Sequence, residues 1–389
     1  MTQRQLRAGI FLPPFHPTDE DPTLLMERDF ELCEWLDQLG FAEAWIGEHH
    51  SGGFELYGSP ELFIAAAAVR TKRIMLGTGV LSLPYHHPLI LADRMVQLDH
   101  QTRGRAMFGI GPGLLPSDAM MLGIDPDTQR DRMGESIDII TRLMDGECIT
   151  QRGDWYEMKE ARLHLSPYTH PRPHIAIASA VTPNGGKLAG RYGLGMICVA
   201  VSNAMGYDAL DLNWRIANDV AAEHGRTMDR AHWRLMAPFH LAETREQALK
   251  NVEWGFEKWQ NYARAINPIG GAAIGIPSIE AVNEGGRGAI GTPDDAIAVL
   301  EKFWEKTGGF GAITILAHDW ADWEATKRSY ELFARYVLPR FNGANDARNA
   351  SMEWMRSNNV EFSGKQHGAT RKAVEKHFAA EEAKTRAAE

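Results

Sequence analysis

Cysteine is scarce in this chain, with three residues in 389. Cys33, Cys148 and Cys198 stand far apart and form no CxxC pair. That excludes a disulfide framework and a cysteine-built zinc site, and makes a reducing cytoplasm the expected compartment. No apolar run approaches the ~20 residues that cross a bilayer, so no membrane is expected as a partner. A polar start leads into a strand-like Ala8–Leu12, not into the charged-then-apolar run of a signal peptide. Basic charge is also short: 41 Lys and Arg against 51 Asp and Glu leave a net charge of −10. Such a balance argues against nucleic acid as a partner. No G-x-G-x-x-G follows the first apolar run, which counts against a doubly wound dinucleotide fold. Neither an internal repeat nor a second globular domain is visible.

What remains is a globular composition, 44% apolar and 24% charged. Short apolar runs recur at Ala8–Leu12, Ala44–Gly47, Ile74–Leu81, Ala106–Ile110, His174–Ala178, Gly195–Val201, Trp233–Leu241 and Ala312–Ala317. Helical patterns sit between most of them. One covers Leu24 to Leu39 and stops at Gly40, and others run from Pro60 to Val69, from Leu89 to Leu98 and from Pro293 onward. Strands alternating with helices predict parallel βα units. Eight of them predict an α/β fold, a closed (β/α)8 TIM barrel with insertions over residues 1–340. An open doubly wound sheet is the alternative.

Two segments break the alternation. Asn267–Gly291 holds seven glycines and stands before the eighth strand, where a long loop is either functional or disordered. We expect it to form a lid. The tail, residues 341–389, becomes charged and alanine-rich from Lys365 and predicts a helical extension. It is expected on the barrel's outside or on a partner subunit of a homo-oligomer, such as a homodimer.

The second apolar run ends in Glu48-His49-His50. Side chains at a strand's end can share a pocket, and histidine titrates near neutral pH. An active-site rim, a metal site and a polar loop all fit this stretch. Thr78-Gly79-Val80 closes the third run, where Gly79 lets backbone approach a flat ring. Gly109, Gly111 and Gly113 end the fourth and leave room against bare backbone. Ser179-Ala180 follows the fifth, ahead of Asn184-Gly185-Gly186 and a helix, and free N–H groups at a helix start suit phosphate. An ordinary helix cap is the plainer reading. His240, His318 and Trp320 stand at or after the last two runs and are candidates for a substrate pocket at the same barrel mouth.

Taken together, Glu48-His49-His50, Leu76-Gly77-Thr78-Gly79-Val80 with Leu83-Pro84 and His87-Pro88, Leu98 through Gly113, Ala178-Ser179-Ala180 with Ala189 to Gly193, and Gly291 to Ile297 resemble the bacterial luciferase-like flavin monooxygenases. Order and spacing match from about Arg7 to Pro339. The run including Arg172 to Pro268 is similar to the limonene monooxygenase branch.

The resemblance implies a reduced-flavin-dependent monooxygenase. Reduced FMN would come from a separate flavin reductase, and one oxygen atom of O2 would enter a small apolar substrate, such as a monoterpene. His49 matches the family's catalytic histidine. The Gly79–Val80 bond matches its non-prolyl cis peptide behind the flavin ring, and Thr78, Gly111 and Ala180 also fall among its flavin-binding positions. Ser179 lies where it places the flavin phosphate. Gly111 stands where the luciferase branch carries a thiol. FAD or the deazaflavin F420 are alternative cofactors. An F420-dependent oxidoreductase and a non-catalytic flavin-binding protein are alternative functions on the same barrel. No metal is expected, since adjacent strand residues face opposite sides and no third ligand of HExxH type is evident.

Overall fold

The computed structural model describes residues 5–12, 15–266 and 278–388. Eight parallel strands close a barrel: β1 (Arg7–Leu12), β2 (Glu43–Ile46), β3 (Met75–Ser82), β4 (Ala106–Gly111), β5 (His174–Ser179), β6 (Gly195–Cys198), β7 (Trp233–Ala237) and β8 (Ala312–Leu316). Each pairs with its neighbours in sequence, and β8 pairs with β1. The expected (β/α)8 barrel is the fold.

Period-two alternation sorts the side chains. Ile10, Ile46, Leu76 and Phe108 point outward into a continuous apolar layer shared with helix residues such as Leu36, Ile64 and Met95. Trp45, Met107, Ala176 and Ile197 point inward and fill the barrel's middle. The indole of Trp45 takes so much of that space that a Cβ on Gly77 would sit 2.5 Å from its ring. A Cβ on Gly109 would meet the Thr78 carbonyl oxygen at 2.2 Å. These glycines therefore serve close packing inside the barrel. The space expected for a ligand at Gly109 is filled by protein.

Below Trp45 the barrel is plugged by charge. Arg234 donates from Nε to Glu43 Oε2 (2.6 Å) and from Nη2 to Glu43 Oε1 (3.0 Å). Trp45 Nε1 and Arg7 Nη2 also donate to that carboxylate, at 3.0 and 3.1 Å. Burial opposes the Glu43 charge, but Arg234 and Arg7 outweigh it and hold the carboxyl down at about 2.

Local signals explain the helix limits. The helix Pro22–Leu39 starts earlier than its apolar period because Asp21 caps it, accepting from the Thr23 and Leu24 N–H groups at 2.9 and 3.1 Å. Gly40 ends it in the left-handed region at φ 84°.

Two expectations change. The predicted seventh strand, Trp233–Leu241, is two strands. Pro238 has no N–H to continue the ladder. Beyond it Phe239–Leu241 leaves the barrel and pairs with Ala289–Gly291. Of the predicted lid, residues 267–277 lie outside the described residues. The remainder is not open loop: it forms the helix Ile279–Gly285, capped by Ser278, and then the strand Ala289–Gly291.

The residues divide into two compact units, Met1–Asn342 and Gly343–Glu389. The second consists of the helices Asp346–Ser357 and Asn359–Ala388, neither of which buries a side chain. Among the described residues no helix is long and apolar enough to cross a membrane.

Candidate active site

A cavity of about 360 Å³ opens at the C-terminal ends of the strands. Its apolar wall includes Phe11, Phe15, Val80, Val199, Met236 and Leu316, and its polar side carries Glu48, His49, Glu55, Ser82 and Ser179. The volume is within the ~300–1,000 Å³ of small-molecule sites.

The loop after β2 supplies the titratable groups. His49, in its charged form, donates from Nδ1 to Asp118 Oδ2 at 3.1 Å, and its Nε2 forms an ion pair with Glu55 Oε2, also at 3.1 Å. Burial disfavours the imidazolium, but Glu55 and Asp118 overcome that and raise the His49 pKa. Asp118 opens the short helix Pro116–Met121 after β4. Its carboxyl is lowered despite burial because His49, Ser51 and the His50 N–H donate to it. Burial pushes Glu55 the other way, to about 7, against the pull of His49 and the Tyr262 hydroxyl.

Glu48 points to the opposite side of the loop. It accepts from His86 Nε2 (2.7 Å), His50 Nε2 (3.2 Å) and the Ser82 N–H (2.6 Å). Burial works against its charge, yet these donors bring its carboxyl down to about 2. His50 is therefore tied to Glu48, while its neighbour His49 is tied to Asp118 and Glu55. Among the described residues no group of three His, Cys, Asp or Glu side chains could hold a metal ion.

At the far end, Ser179 closes β5 just before the turn into the helix Asn184–Tyr192. Its Oγ is buried and has no partner. The helix start has no side-chain cap. Gly185 packs so closely that a Cβ there would meet Ser179 Cβ at 2.9 Å and the Ala178 carbonyl at 3.0 Å. An orphaned hydroxyl and uncapped N–H groups on a cavity that Arg130 also lines are features that suit an anion.

The Gly79–Val80 peptide is cis, and both residues line the cavity. A Cβ on Gly79 would point away from it, toward Trp45 Cβ at 3.0 Å and Phe11 Cε2 at 3.1 Å. Thr78 is buried behind the wall, where its hydroxyl donates to the Gly109 carbonyl at 2.8 Å. Gly111 supports Val80, whose Cγ2 would lie 2.7 Å from a Cβ at that position.

These contents match a known family. Residues 6–311 fit the family described as luciferase-like monooxygenase. The chain belongs to the luciferase-like monooxygenases. It is a flavin-dependent monooxygenase of that family. It is 49% identical to limonene 1,2-monooxygenase from Rhodococcus erythropolis over 336 residues, 86% of each chain. It is 47% identical to 4-hydroxyprotoasukamycin monooxygenase from Streptomyces nodosus subsp. asukaensis over 364 residues, 90% of this chain and 96% of that one. Among solved structures it resembles the oxygenating constituent of 3,6-diketocamphane monooxygenase from Pseudomonas putida, a type II Baeyer–Villiger enzyme in complex with FMN. The TM-score is 0.71 at 25% identity, covering 87% of this chain and 99% of that one.

The barrel thus brings together His49, Gly79, Val80, Ser179 and Ala180 on one cavity of this monooxygenase. It does not bring His240, His318 or Trp320 there. His240 lies past the break at Pro238, is buried, and accepts from Asn251 Nδ2 at 3.2 Å. Its pKa falls to about 4 through burial. His318 stacks on Trp320 at 3.7 Å and turns into an aromatic cluster with Phe256 and Trp259. Trp320 is part of a neighbouring apolar core, and His318 lines a separate cavity beside it. Sequence reasoning missed Glu55, Asp118, Tyr262 and Arg130. Glu55 and Asp118 carried a usable signal, as acids in loops that leave strands at the barrel's C-terminal face.

Proposed function

We propose that this monooxygenase is the oxygenating half of a two-component system, using reduced FMN delivered by a separate reductase. The observation that carries the reading is the unpartnered, buried Ser179 hydroxyl at an uncapped helix start, set across one cavity from His49. Ser179, Ala180, the first N–H groups of the helix Asn184–Tyr192 and Arg130 would hold the FMN phosphate. The walls at Gly79–Val80, Phe11 and Met236 would hold its ring. When bound, reduced flavin supplies the electrons that activate O2.

The chain's own part is to bind, shield and move a proton. Apolar walls limit water around the reacting oxygen. His49 handles the proton, held in register by Asp118. The apolar wall and the limonene-oxidising relative support a small apolar substrate of the monoterpene class. The absence of a dinucleotide fingerprint in the sequence, together with a structural neighbour named as an oxygenating constituent, supports the reductase.

Titration with FMN, FAD and F420 should show preferential binding of FMN. Oxygen uptake should follow addition of photoreduced FMN, with limonene raising oxygenated product over hydrogen peroxide. Preference for F420, or reduced FMN oxidised no faster than in buffer, would overturn the reading.

A further inference from the structure

Both ring nitrogens of His49 face carboxylates, Asp118 on one side and Glu55 on the other. Glu55 also reaches the cavity. Its Oε2 faces His49, and its Oε1 accepts from the Tyr262 hydroxyl at 2.7 Å. Tyr262 is held in place by Phe54, stacked at 4.5 Å, and by Phe15, tilted at 5.7 Å. On the other side of His49, Asp118 Oδ1 accepts from Ser51, whose Oγ lies 2.7 Å from Ser117 Oγ at the surface. Hydrogen bonds therefore link Ser117 and Ser51 at the surface to Asp118 and His49, and an ion pair joins His49 to Glu55 on the cavity wall.

We propose that Glu55 is the group that hands a proton to the reacting oxygen in the cavity, and that His49, held as the imidazolium by Asp118, refills it. This deepens the functional reading above and rests on it. The carboxylic O–H bond of Glu55 breaks, and its proton goes to a negatively charged oxygen formed in the cavity. His49 returns a proton from Nε2 to the resulting carboxylate. That leaves a neutral imidazole with its proton still on Nδ1, and the imidazolium is restored when the bare Nε2 takes a proton from water, so the net donor is water and no electrons move. The groups facing Glu55 are His49 and Tyr262, which favour its carboxylate, and Asp118, which favours its acid. Glu48 adds negative charge near His49 from the far side of the loop. Burial, the largest influence, places the Glu55 proton close to neutral pH, where a donor is most effective.

Glu55→Gln keeps the shape and an oxygen that can accept from Tyr262 but carries no transferable proton. Binding of oxidised FMN should be unchanged. Oxygenation with photoreduced FMN and limonene should slow roughly 10²–10⁴-fold at neutral pH, with hydrogen peroxide released instead of product. The pH profile should lose its limb near pH 7, and Glu55→Asp should restore part of it. Infrared difference spectra of the cofactor-free protein, with and without labelled glutamate, give a second readout. A protonated glutamate band titrating near pH 7 should be present in the parent and absent in Glu55→Gln. Wild-type oxygenation by Glu55→Gln, or no such band in the parent, would overturn the proposal. A parent that neither binds FMN nor consumes oxygen would instead overturn the functional reading, and the infrared measurement would still decide whether Glu55 holds the proton.

Discussion

Replacing Ser179 by alanine separates a ligand site from a packing site. In the free protein the hydroxyl is 2% exposed and unpartnered. Burying such a group costs about 1–3 kcal/mol on protein scales. Removing it should leave the cofactor-free protein as stable as before, or more stable. With FMN bound, the same hydroxyl would donate to a charged phosphate oxygen, a bond worth about 1.5–3 kcal/mol. Ser179→Ala should therefore weaken FMN roughly 10–100-fold. Riboflavin has the same ring and no phosphate, so its affinity should not change. Fluorescence titration with both flavins, beside thermal unfolding of the free proteins, measures all three quantities. Equal loss of FMN and riboflavin, or no loss of either, would show that the phosphate lies elsewhere. A large drop in the melting temperature would show that the hydroxyl has a structural partner after all.

Other expectations concern proton handling and stability. His49→Ala should slow oxygenation roughly 10²–10⁴-fold while FMN affinity stays constant, and normal turnover would remove His49 from the reaction. Arg234→Met leaves Glu43 buried beside only Arg7 and Trp45. It should cost about 3–5 kcal/mol in urea unfolding, with much of the loss recovered by adding Glu43→Gln. A loss below about 1 kcal/mol would mean that the barrel floor relaxes around the carboxylate. Glu48 has a folded pKa of about 2, below its ordinary 4.5. Its contribution to stability, of order 3 kcal/mol, is present above the unfolded pKa and lost as pH falls toward the folded one. Unfolding of Glu48→Gln should depend less on pH than that of the parent across this acid range, and parallel curves would refute the pairing.

Much of the architecture was legible without coordinates because barrel strands and helices write different periods into a chain. All eight barrel strands were found. The boundary error at Trp233–Leu241 has a local cause, Pro238, which stops the β7 ladder at Ala237. The cavity-lining stretches Gly79–Val80 and Ser179–Ala180 were legible from motif and order, and His49 from its place past a strand's end.

What the sequence by itself determined is the barrel, the family and several of the loops that line the cavity, since each depends on neighbours close along the chain. Only the tertiary structure decided which polar groups touch. His49 meets Asp118 across 69 positions, and Tyr262 reaches Glu55 across 207. Those contacts exist because barrel closure brings separate loops to one mouth. The proton affinities of Glu55 and His49 then follow from burial and neighbouring charge, which no linear spacing encodes. Closure also decided that Trp45 occupies the space beside Gly77 and that His318 and Trp320 stack into the core, because volume inside a closed barrel is shared among all eight strands.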